Sequence, residues 1–380
     1  MIRSGLQALK FRLTVDVWLK KEAEPGMIYS EFKGIRIAGI AAAVPEGVVE
    51  IESLKATEDP QMIDNFMKKT GILRIHKGTF QQTAADYAFT AAKALEMAGK
   101  YSPDEIGVLI DVTQNPDYRT PSTACAMHKR LGLNKSCLAF DINLGCSGFV
   151  YGLTIAASLL QTSSARKALV LVGDSLARRQ VKDFKRVSNT SLLFGDASSA
   201  IVIEKAEEKD ILYSALMSDG SGHKALSVPY GAWKHPVGPV GVPGDDIAVF
   251  NFTISEVPAL LTEFIEKTGI GIDQYDSLIL HQANKMIMKQ IAKKVKMPME
   301  KVPISLDRFG NTSGASDPLT IVDRYGEEKS GRTIKLMVAG YGVGLSWGVV
   351  SFEIKDTDIL PLCISHDTYD DGYEDDYVNS

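Results

Sequence analysis

Between Cys137 and Leu160 the chain passes from a short apolar run, through Asp141-Ile142-Asn143-Leu144-Gly145-Cys146-Ser147-Gly148-Phe149, into an amphipathic stretch. Short bounded apolar runs read as buried strands, and apolar residues at helical spacing read as helices. The unit therefore predicts a strand, a glycine-bracketed turn and a helix, with Cys146 at the junction. A thiol at a helix N-terminus meets free backbone N–H groups and the positive end of the helix dipole, which lower its pKa from roughly 8.5. On that ground Cys146 is a candidate nucleophile. Cysteine is equally at home as a small buried core residue, so its neighbours decide.

The same alternation runs along the chain. Gly34 to Ala43, Ile106 to Val112, Lys167 to Gly173 and Ser198 to Glu204 read as strands; Thr83 to Ala98 and Ser122 to Leu131 read as helices. After the charged break Glu204 to Asp210, strands are expected at Ile211 to Met217, Ser277 to Leu280 and Thr333 to Ala339, and helices at Ile254 to Thr268 and Asn284 to Val295. Apolar strands alternating with helices predict an α/β protein with a buried sheet. Each half also closes alike: Phe194-Gly195-Asp196 leads into an apolar strand ending at Glu204, and Gly340 to Gly344 leads into one ending at Glu353. A small-residue turn followed by a β-branched strand, once per half, points to duplication. The expected boundaries are an N-terminal extension over 1–33, a first half over 34–206, a second half over 207–355 and an acidic tail over 356–380. After His366 the tail carries Asp367, Asp370, Asp371, Glu374, Asp375 and Asp376 with no Lys or Arg, and reads as solvated and poorly ordered.

Composition excludes several classes. A net charge of -5 argues against a nucleic-acid binder. The longest apolar run, Ile37 to Pro45, falls far short of the roughly 20 residues that span a bilayer. Residues 1–33 lack the apolar core of a signal peptide, so the expected location is the cytoplasm. Cys125, Cys137, Cys146 and Cys363 form no CxxC pair and share no metal-ligand spacing with the six histidines, so no metal is expected. The glycine- and proline-rich stretch Ser218 to Asp246, with His223, Trp233 and His235, reads as a loop that shapes a pocket.

Two further stretches break the apolar rhythm. Leu278-Ile279-Leu280-His281-Gln282-Ala283-Asn284 sets a histidine where a buried strand gives way to a helix, and strand C-termini are where α/β proteins build sites. Asp307-Arg308-Phe309-Gly310-Asn311-Thr312-Ser313-Gly314-Ala315-Ser316 offers Asn311 in a polar turn, a place that also suits a plain turn former. A Cys, His, Asn set has two chemical uses. In a papain-like protease the thiolate attacks a peptide, but that family's cysteine lies near the mature N-terminus in its own signature. In acyl transfer to carbon, His and Asn donate hydrogen bonds to a thioester oxygen and stabilise the enolate left when a malonyl group loses carbon dioxide.

The motifs act in combination: Thr70-Gly71-Ile72 with Arg74, Pro121-Ser122-Thr123-Ala124-Cys125, Gly145-Cys146-Ser147-Gly148-Phe149, Phe194-Gly195-Asp196, His281-Gln282-Ala283-Asn284, Gly310-Asn311-Thr312-Ser313 and Gly342-Val343-Gly344. From about Gly34 to Glu353 the chain resembles the β-ketoacyl-acyl-carrier-protein synthase III family of the thiolase superfamily. The resemblance implies a thiolase-like, duplicated, five-layer αβαβα fold around a central helix pair, and a homodimer. It also implies a reaction. Cys146 takes an acyl group from a coenzyme A or phosphopantetheine thioester, its carbonyl oxygen held by backbone N–H groups of Cys146 and of the Gly342 to Leu345 turn, Gly344 and Leu345 among them. Malonyl acyl carrier protein then enters, His281 and Asn311 stabilise the enolate as carbon dioxide leaves, and the carbanion attacks the acyl-cysteine. No resident cofactor is implied. The alternatives are a non-decarboxylating relative that moves the acyl group to an alcohol or amine, and a non-catalytic partner subunit. The presence of both His281 and Asn311 favours condensation.

Around that centre the chain departs from the family's pattern. Asn65 and Phe66 stand where a tryptophan for the coenzyme A adenine is expected, Arg186 is the nearest candidate for the adenine-side arginine, and Met286 takes the place of a further arginine. Thr120 and Leu345 replace phenylalanines, and Asp317 an apolar residue, which points to a primer other than acetyl. Lys285, Lys289, Lys293 and Lys296 recur on one helical face, with Ile287, Ile291 and Val295 on the other. With Asn284, this basic stripe is expected to meet an acidic acyl carrier protein.

Overall fold

The computed structural model describes residues 26–175, 192–238 and 244–373. In chain order the strands are β1 (Ile28–Lys33), β2 (Ile35–Pro45), β3 (Val48–Glu50), β4 (Arg74–His76), β5 (Ile106–Val112), β6 (Leu138–Ile142), β7 (Lys167–Asp174), β8 (Ala197–Lys205), β9 (Ile211–Ser218), β10 (Ser277–Leu280), β11 (Thr333–Gly342), β12 (Ser346–Lys355) and β13 (Cys363–Ser365). The helices are α1 (Pro60–Thr70), α2 (Ala84–Met97), α3 (Thr123–Arg130), α4 (Gly148–Thr162), α5 (Asp246–Thr268), α6 (Lys285–Lys294), α7 (Leu306–Phe309) and α8 (Ser316–Tyr325).

Two mixed sheets stack with helices between and outside them. One has six strands in the order β13-β2-β8-β7-β5-β6, the other five in the order β1-β9-β12-β11-β10. Helices α2 and α3 cover the outer face of the first, α5 with α6 beside it covers the outer face of the second, and α4 and α8 touch both sheets. The result is the five-layer αβαβα order. Helix α4 carries no charged residue and its side chains are apolar nearly all round, as a helix must be when both flanks are sheet. Strands β5 and β7 are buried on both faces, which explains their continuous apolar runs.

Strand register carries the chain ends to one place. Val112 of β5 sits opposite Ile142 of β6, so the loop after β5 and the turn before α4 leave the sheet together. In the other sheet Leu280 pairs with Ala339 in parallel, which sets His281 beside Gly340 just before the turn into β12.

Both ends of the chain depart from expectation. The extension assigned to residues 1–33 includes β1, an edge strand paired antiparallel with β9; only Phe32 in it is buried, so its apolar signal is faint. Residues 1–25 lie outside the described residues. The segment assigned to the acidic tail is structured from Asp356 to Tyr373. Asp356 accepts hydrogen bonds from the N–H groups of Ser330 and Gly331 at 2.8 Å, Ile359 is wholly buried, and β13 extends the six-stranded sheet in parallel with β2. Counting charges hides the apolar run Ile359 to Ile364 that makes this possible.

Helix α5 begins about two turns before the expected Ile254, because Asp245 accepts from the N–H groups of Ile247 and Ala248 at 3.0 Å and caps it. Among the described residues it is the one helix long and apolar enough to cross a bilayer by length and composition. Its Val257, Leu260, Leu261 and Phe264 are buried, while Glu256, Glu263 and Glu266 are exposed on its other side.

Candidate active site

Cys146 follows β6 and stands just before α4. Its sulfur approaches β11 so closely that a Cβ on Gly342 would lie 2.8 Å from Sγ, and only glycine fits there. The thiol is 8% exposed. Burial pushes its pKa up to about 11, the N–H groups of Val343 and of Cys146 itself pull it down, and Asp174 and Asp317 add to the rise. The expected acidified thiol is therefore corrected: Gly148 N–H turns to Gly145 O at 2.6 Å, and too few amides reach the sulfur to offset desolvation.

His281 is buried between two anchors. The Ser316 hydroxyl donates to Ser313 O at 2.7 Å, so its oxygen is left to accept from Nδ1–H of His281 at 2.6 Å. That leaves Nε2 unprotonated in the neutral ring. Tyr341 donates to His281 O at 3.1 Å and sets its ring edge-on, with centroids 5.5 Å apart. Burial pushes the imidazole pKa down to about 3, so the ring rests neutral.

Asn311 is oriented by its own turn. Its Oδ1 accepts from Ser313 N–H at 2.9 Å, which leaves the Nδ2 hydrogens as the free donors. Its backbone ties to the other half: Asn311 N–H donates to Leu193 O at 2.9 Å and Gly195 N–H to Asn311 O at 3.2 Å. The turn also touches the nucleophile's, since a Cβ on Gly314 would lie 2.8 Å from Gly145 O. The three stretches singled out from sequence thus converge on one buried place.

The surroundings are unusually polar. Gln114 lies against Gly145, where a Cβ would overlap its amide, and its Oε1 accepts from Ser313 Oγ at 3.4 Å. Asp174 accepts from Thr113 Oγ1 at 3.0 Å and Gln114 N–H at 2.7 Å, but burial still raises its pKa to about 6. Asp317 is wholly buried, and neither carboxyl oxygen has a hydrogen-bond partner among the described residues. It lies beneath the nucleophile's turn: a Cβ on Gly340 would be 3.1 Å from Asp317 Oδ2 and 3.0 Å from Cys146 O. Desolvation holds this carboxyl well above the usual carboxylate range. Among the described residues no group of His, Cys, Asp or Glu is arranged to hold a metal ion.

Comparison with known proteins agrees with this geometry. Residues 265–354 match the model of the 3-oxoacyl-[acyl-carrier-protein (ACP)] synthase III C-terminal domain and residues 140–220 that of 3-oxoacyl-[acyl-carrier-protein (ACP)] synthase III. A β-ketoacyl-[acyl-carrier-protein] synthase III of Xanthomonas campestris pv. campestris is 35% identical over 321 residues, 82% of this chain and 96% of its own length. The chain belongs to the β-ketoacyl-[acyl-carrier-protein] synthase III family. A second member, from Thioalkalivibrio sulfidiphilus, is 36% identical over 82% of this chain and 97% of its own length. The crystal structure of a 3-oxoacyl-(acyl-carrier protein) synthase from Burkholderia xenovorans LB400 superposes with a TM-score of 0.83 at 33% identity, covering 90% of this chain and 99% of that one. The fold is thiolase-like, and a papain-like reading of the Cys, His, Asn set falls with it.

Other residues expected from the synthase III pattern are placed unevenly. Leu345 N–H donates to Asp219 O at 3.0 Å, so it is not free to hold an acyl oxygen, and the expectation for it is corrected. Val343 N–H, which sequence reading did not single out from the Gly342 to Leu345 turn, is the amide directed at the sulfur together with that of Cys146; Gly344 lies one residue further along the turn. The Leu345 side chain is buried against Gly222. Asn284 caps α6 by accepting from Met286 N–H at 2.7 Å. Lys285, Lys289, Lys293 and Lys296 are exposed along α6 and its end. Phe66 is buried and Asn65 accepts from Gln61 at 3.3 Å, so no aromatic platform replaces the missing tryptophan there. Thr120 is exposed, and Arg186 lies outside the described residues. Ser316, Ser313 and Gln114 had no chemical signature of their own; only the turn spacing around Asn311 hinted at the two serines.

Proposed function

We propose that the protein is a decarboxylating condensing enzyme that joins an acyl primer, carried on Cys146, to malonyl acyl carrier protein. The observation that carries it is that one short turn fixes both side chains next to the Cys146 turn: Ser313 N–H holds Asn311 Oδ1, which leaves Nδ2 to donate, and Ser316 holds His281 Nδ1, which leaves Nε2 available.

His281 Nε2 takes the proton from the Cys146 thiol as sulfur attacks the primer thioester, a transfer that a thiol of pKa about 11 requires. The carbonyl oxygen becomes negative against the N–H groups of Cys146 and Val343. The thiolate of coenzyme A or phosphopantetheine leaves with the proton that His281 took, and the ring returns to its neutral form. Malonyl carrier protein then enters, and beside its carboxylate, which supplies the negative charge that a buried imidazolium needs, His281 takes a proton from solvent on Nε2. Carbon dioxide departs, the enolate oxygen accepts from His281 and Asn311, and its carbon attacks the acyl-cysteine. Cys146 leaves as thiolate and regains its proton from His281, releasing a β-ketoacyl carrier protein. Thioesters of coenzyme A or phosphopantetheine are substrates; the scheme uses no resident cofactor.

The exposed lysines of α6 suit an acidic carrier protein. A homodimer is proposed through β6, an edge strand whose residues are only partly buried and whose Leu138 is 51% exposed. The cytoplasm suits the free thiols. The test is intact-mass measurement of wild type and Cys146→Ala with a panel of acyl thioesters, followed by carbon dioxide release from malonyl carrier protein. Wild type gains the acyl mass and releases carbon dioxide; an unacylated Cys146 with every thioester sinks the proposal.

A further inference from the structure

Ser147 occupies the cap position at the start of α4. A serine there ordinarily turns its oxygen to an N–H group in the first turn of its own helix. Ser147 makes no such bond. Its buried hydroxyl crosses instead to the other half of the molecule and meets Ser346 Oγ at 2.7 Å. Ser346 in turn donates to Val343 O at 2.6 Å. A hydroxyl carries one hydrogen; that of Ser346 is committed to Val343, so the hydrogen between the two serines comes from Ser147. The bonds therefore run in one direction, from Ser147 to Ser346 to Val343, and each polarises the next.

The chain of hydroxyls ends on the loop that closes over the nucleophile. Residues 343–345 join β11 to β12, with Gly342 paired to Ser346 at the base of the loop. The far end is pinned: Leu345 N–H donates to Asp219 O at 3.0 Å and Asp219 N–H to Leu345 O at 2.9 Å. At the near end Val343 is followed by Gly344, whose φ of 141° is one that glycine alone adopts freely. Val343 N–H is the amide that meets Cys146 Sγ, next to Gly342, where a Cβ would lie 2.8 Å from the sulfur. The N–H and the carbonyl of one residue are tied through only two soft dihedrals, so holding Val343 O limits where its N–H points. Helix α4 has other holds on the second half, since Tyr151 donates to Met217 O at 2.7 Å and meets Ser218 Oγ at 2.8 Å. Loss of the serine hydroxyls therefore leaves the seat of the helix in place.

We propose that the hydroxyl chain from Ser147 through Ser346 holds Val343 N–H on the Cys146 sulfur, and so sets both the reactivity of the thiol and the grip on the acyl oxygen. This rests on the reading of Cys146 as the acyl carrier. Ser147 and Ser346 are positioning residues, acting through Val343 and touching no substrate. Full chains carrying Ser346→Ala, Ser147→Ala, both, and Ser346→Thr, which keeps the hydroxyl, are compared with wild type. One readout is alkylation by iodoacetamide at about pH 8.5, where the rate follows the thiolate fraction, resolved for Cys146 and the equally buried Cys137 by peptide mass. The other is kcat and KM for acylation of Cys146 by acetyl- and octanoyl-coenzyme A. In Ser346→Ala the sulfur loses a donor that favours its anion, so alkylation of Cys146 slows about fivefold while Cys137 is unchanged. Acylation falls about tenfold in kcat with KM little changed, short of the roughly 10²- to 10³-fold of a donor removed outright. Ser147→Ala, one bond further from the amide, loses about twofold. The double variant is no worse than Ser346→Ala, because the two serines act in series, and Ser346→Thr stays within about twofold of wild type. Faster alkylation of both cysteines in the alanine variants shows serines that merely pack the two halves together, and overturns the inference. So does an unchanged Cys146 rate, or a loss of equal size in Ser346→Thr. Failure of wild type to take any acyl group overturns the reading of Cys146 as the carrier, while the alkylation comparison still decides what holds Val343.

Discussion

Helices α4 and α8 occupy the same middle layer between the two sheets, and each begins with polar side chains buried near Cys146. At the start of α4 those groups are paired: the sulfur receives the N–H groups of Val343 and Cys146, and Ser147 Oγ meets Ser346 Oγ at 2.7 Å. At the start of α8, Ser316 anchors His281, while the adjacent Asp317 has no partner for either oxygen among the described residues. One helix starts beside the proposed nucleophile in a satisfied setting. The other anchors the proposed base, His281, and keeps an unpaired acid, which costs about 1–3 kcal/mol. A duplicated architecture has thus divided labour between equivalent places, and the unequal polar accounting is the mark of it.

The largest test of that division is Cys146→Ala, which abolishes the acyl mass increment whatever the thioester, read by intact-mass spectrometry. Next come His281→Ala and Asn311→Ala. Removing one donor to a developing oxyanion costs roughly 10²- to 10³-fold, so carbon dioxide release from malonyl carrier protein falls by that order, while Asn311→Ala still becomes acylated. Loss of acylation in Asn311→Ala would mean that the turn supports α4 and not the condensation step. Ser316→Ala frees the imidazole to take either tautomer; acylation falls about tenfold in kcat, short of the 10²- to 10⁴-fold of a whole general base, with KM little changed. An unaltered rate would remove Ser316 from the tuning role.

Asp317→Val makes the smallest change and runs the other way: it stabilises the fold by about 1–3 kcal/mol, measured by urea unfolding. The gain depends on pH. The folded pKa of Asp317 is raised above the unfolded value of about 3.9. Its contribution is therefore fully present below that value and is lost as pH rises toward the folded pKa, at about 1.4 kcal/mol per pH unit. Asp174, pushed up to about 6, behaves likewise in its own window. His281, pushed down to about 3, contributes stability above its unfolded value of about 6.5 that is lost as pH falls through the folded one. The advantage of Asp317→Val is accordingly larger at pH 8 than at pH 4. Equal gains at both would show that the acid finds a partner in solution.

Much of the architecture was legible from the chain. The interior strands and α4 are continuous apolar runs because both of their faces are covered, and that pattern survives in one dimension. Two strands were missed for other reasons: β1 buries only Phe32 and leaves a weak apolar signal, and β13 ends an apolar run, Ile359 to Ile364, that the surrounding acidic residues mask. The candidate site was legible where local geometry dictates residue type. Cys146, His281 and Asn311 each stand where a strand or glycine turn hands over to a helix, and such junctions stand out against an apolar background.

What the sequence by itself determined is therefore the rhythm of buried strands and the three places where that rhythm breaks. Only the tertiary structure decided how those residues are poised: a thiol raised, not lowered; an imidazole turned by Ser316; Val343 rather than Leu345 supplying the amide at the sulfur. The reason is that protonation and hydrogen-bond direction depend on which groups from the other half of the chain close over Cys146, and at what depth. A helix N-terminus can be read from local sequence, but the desolvation imposed when β11 seals it cannot.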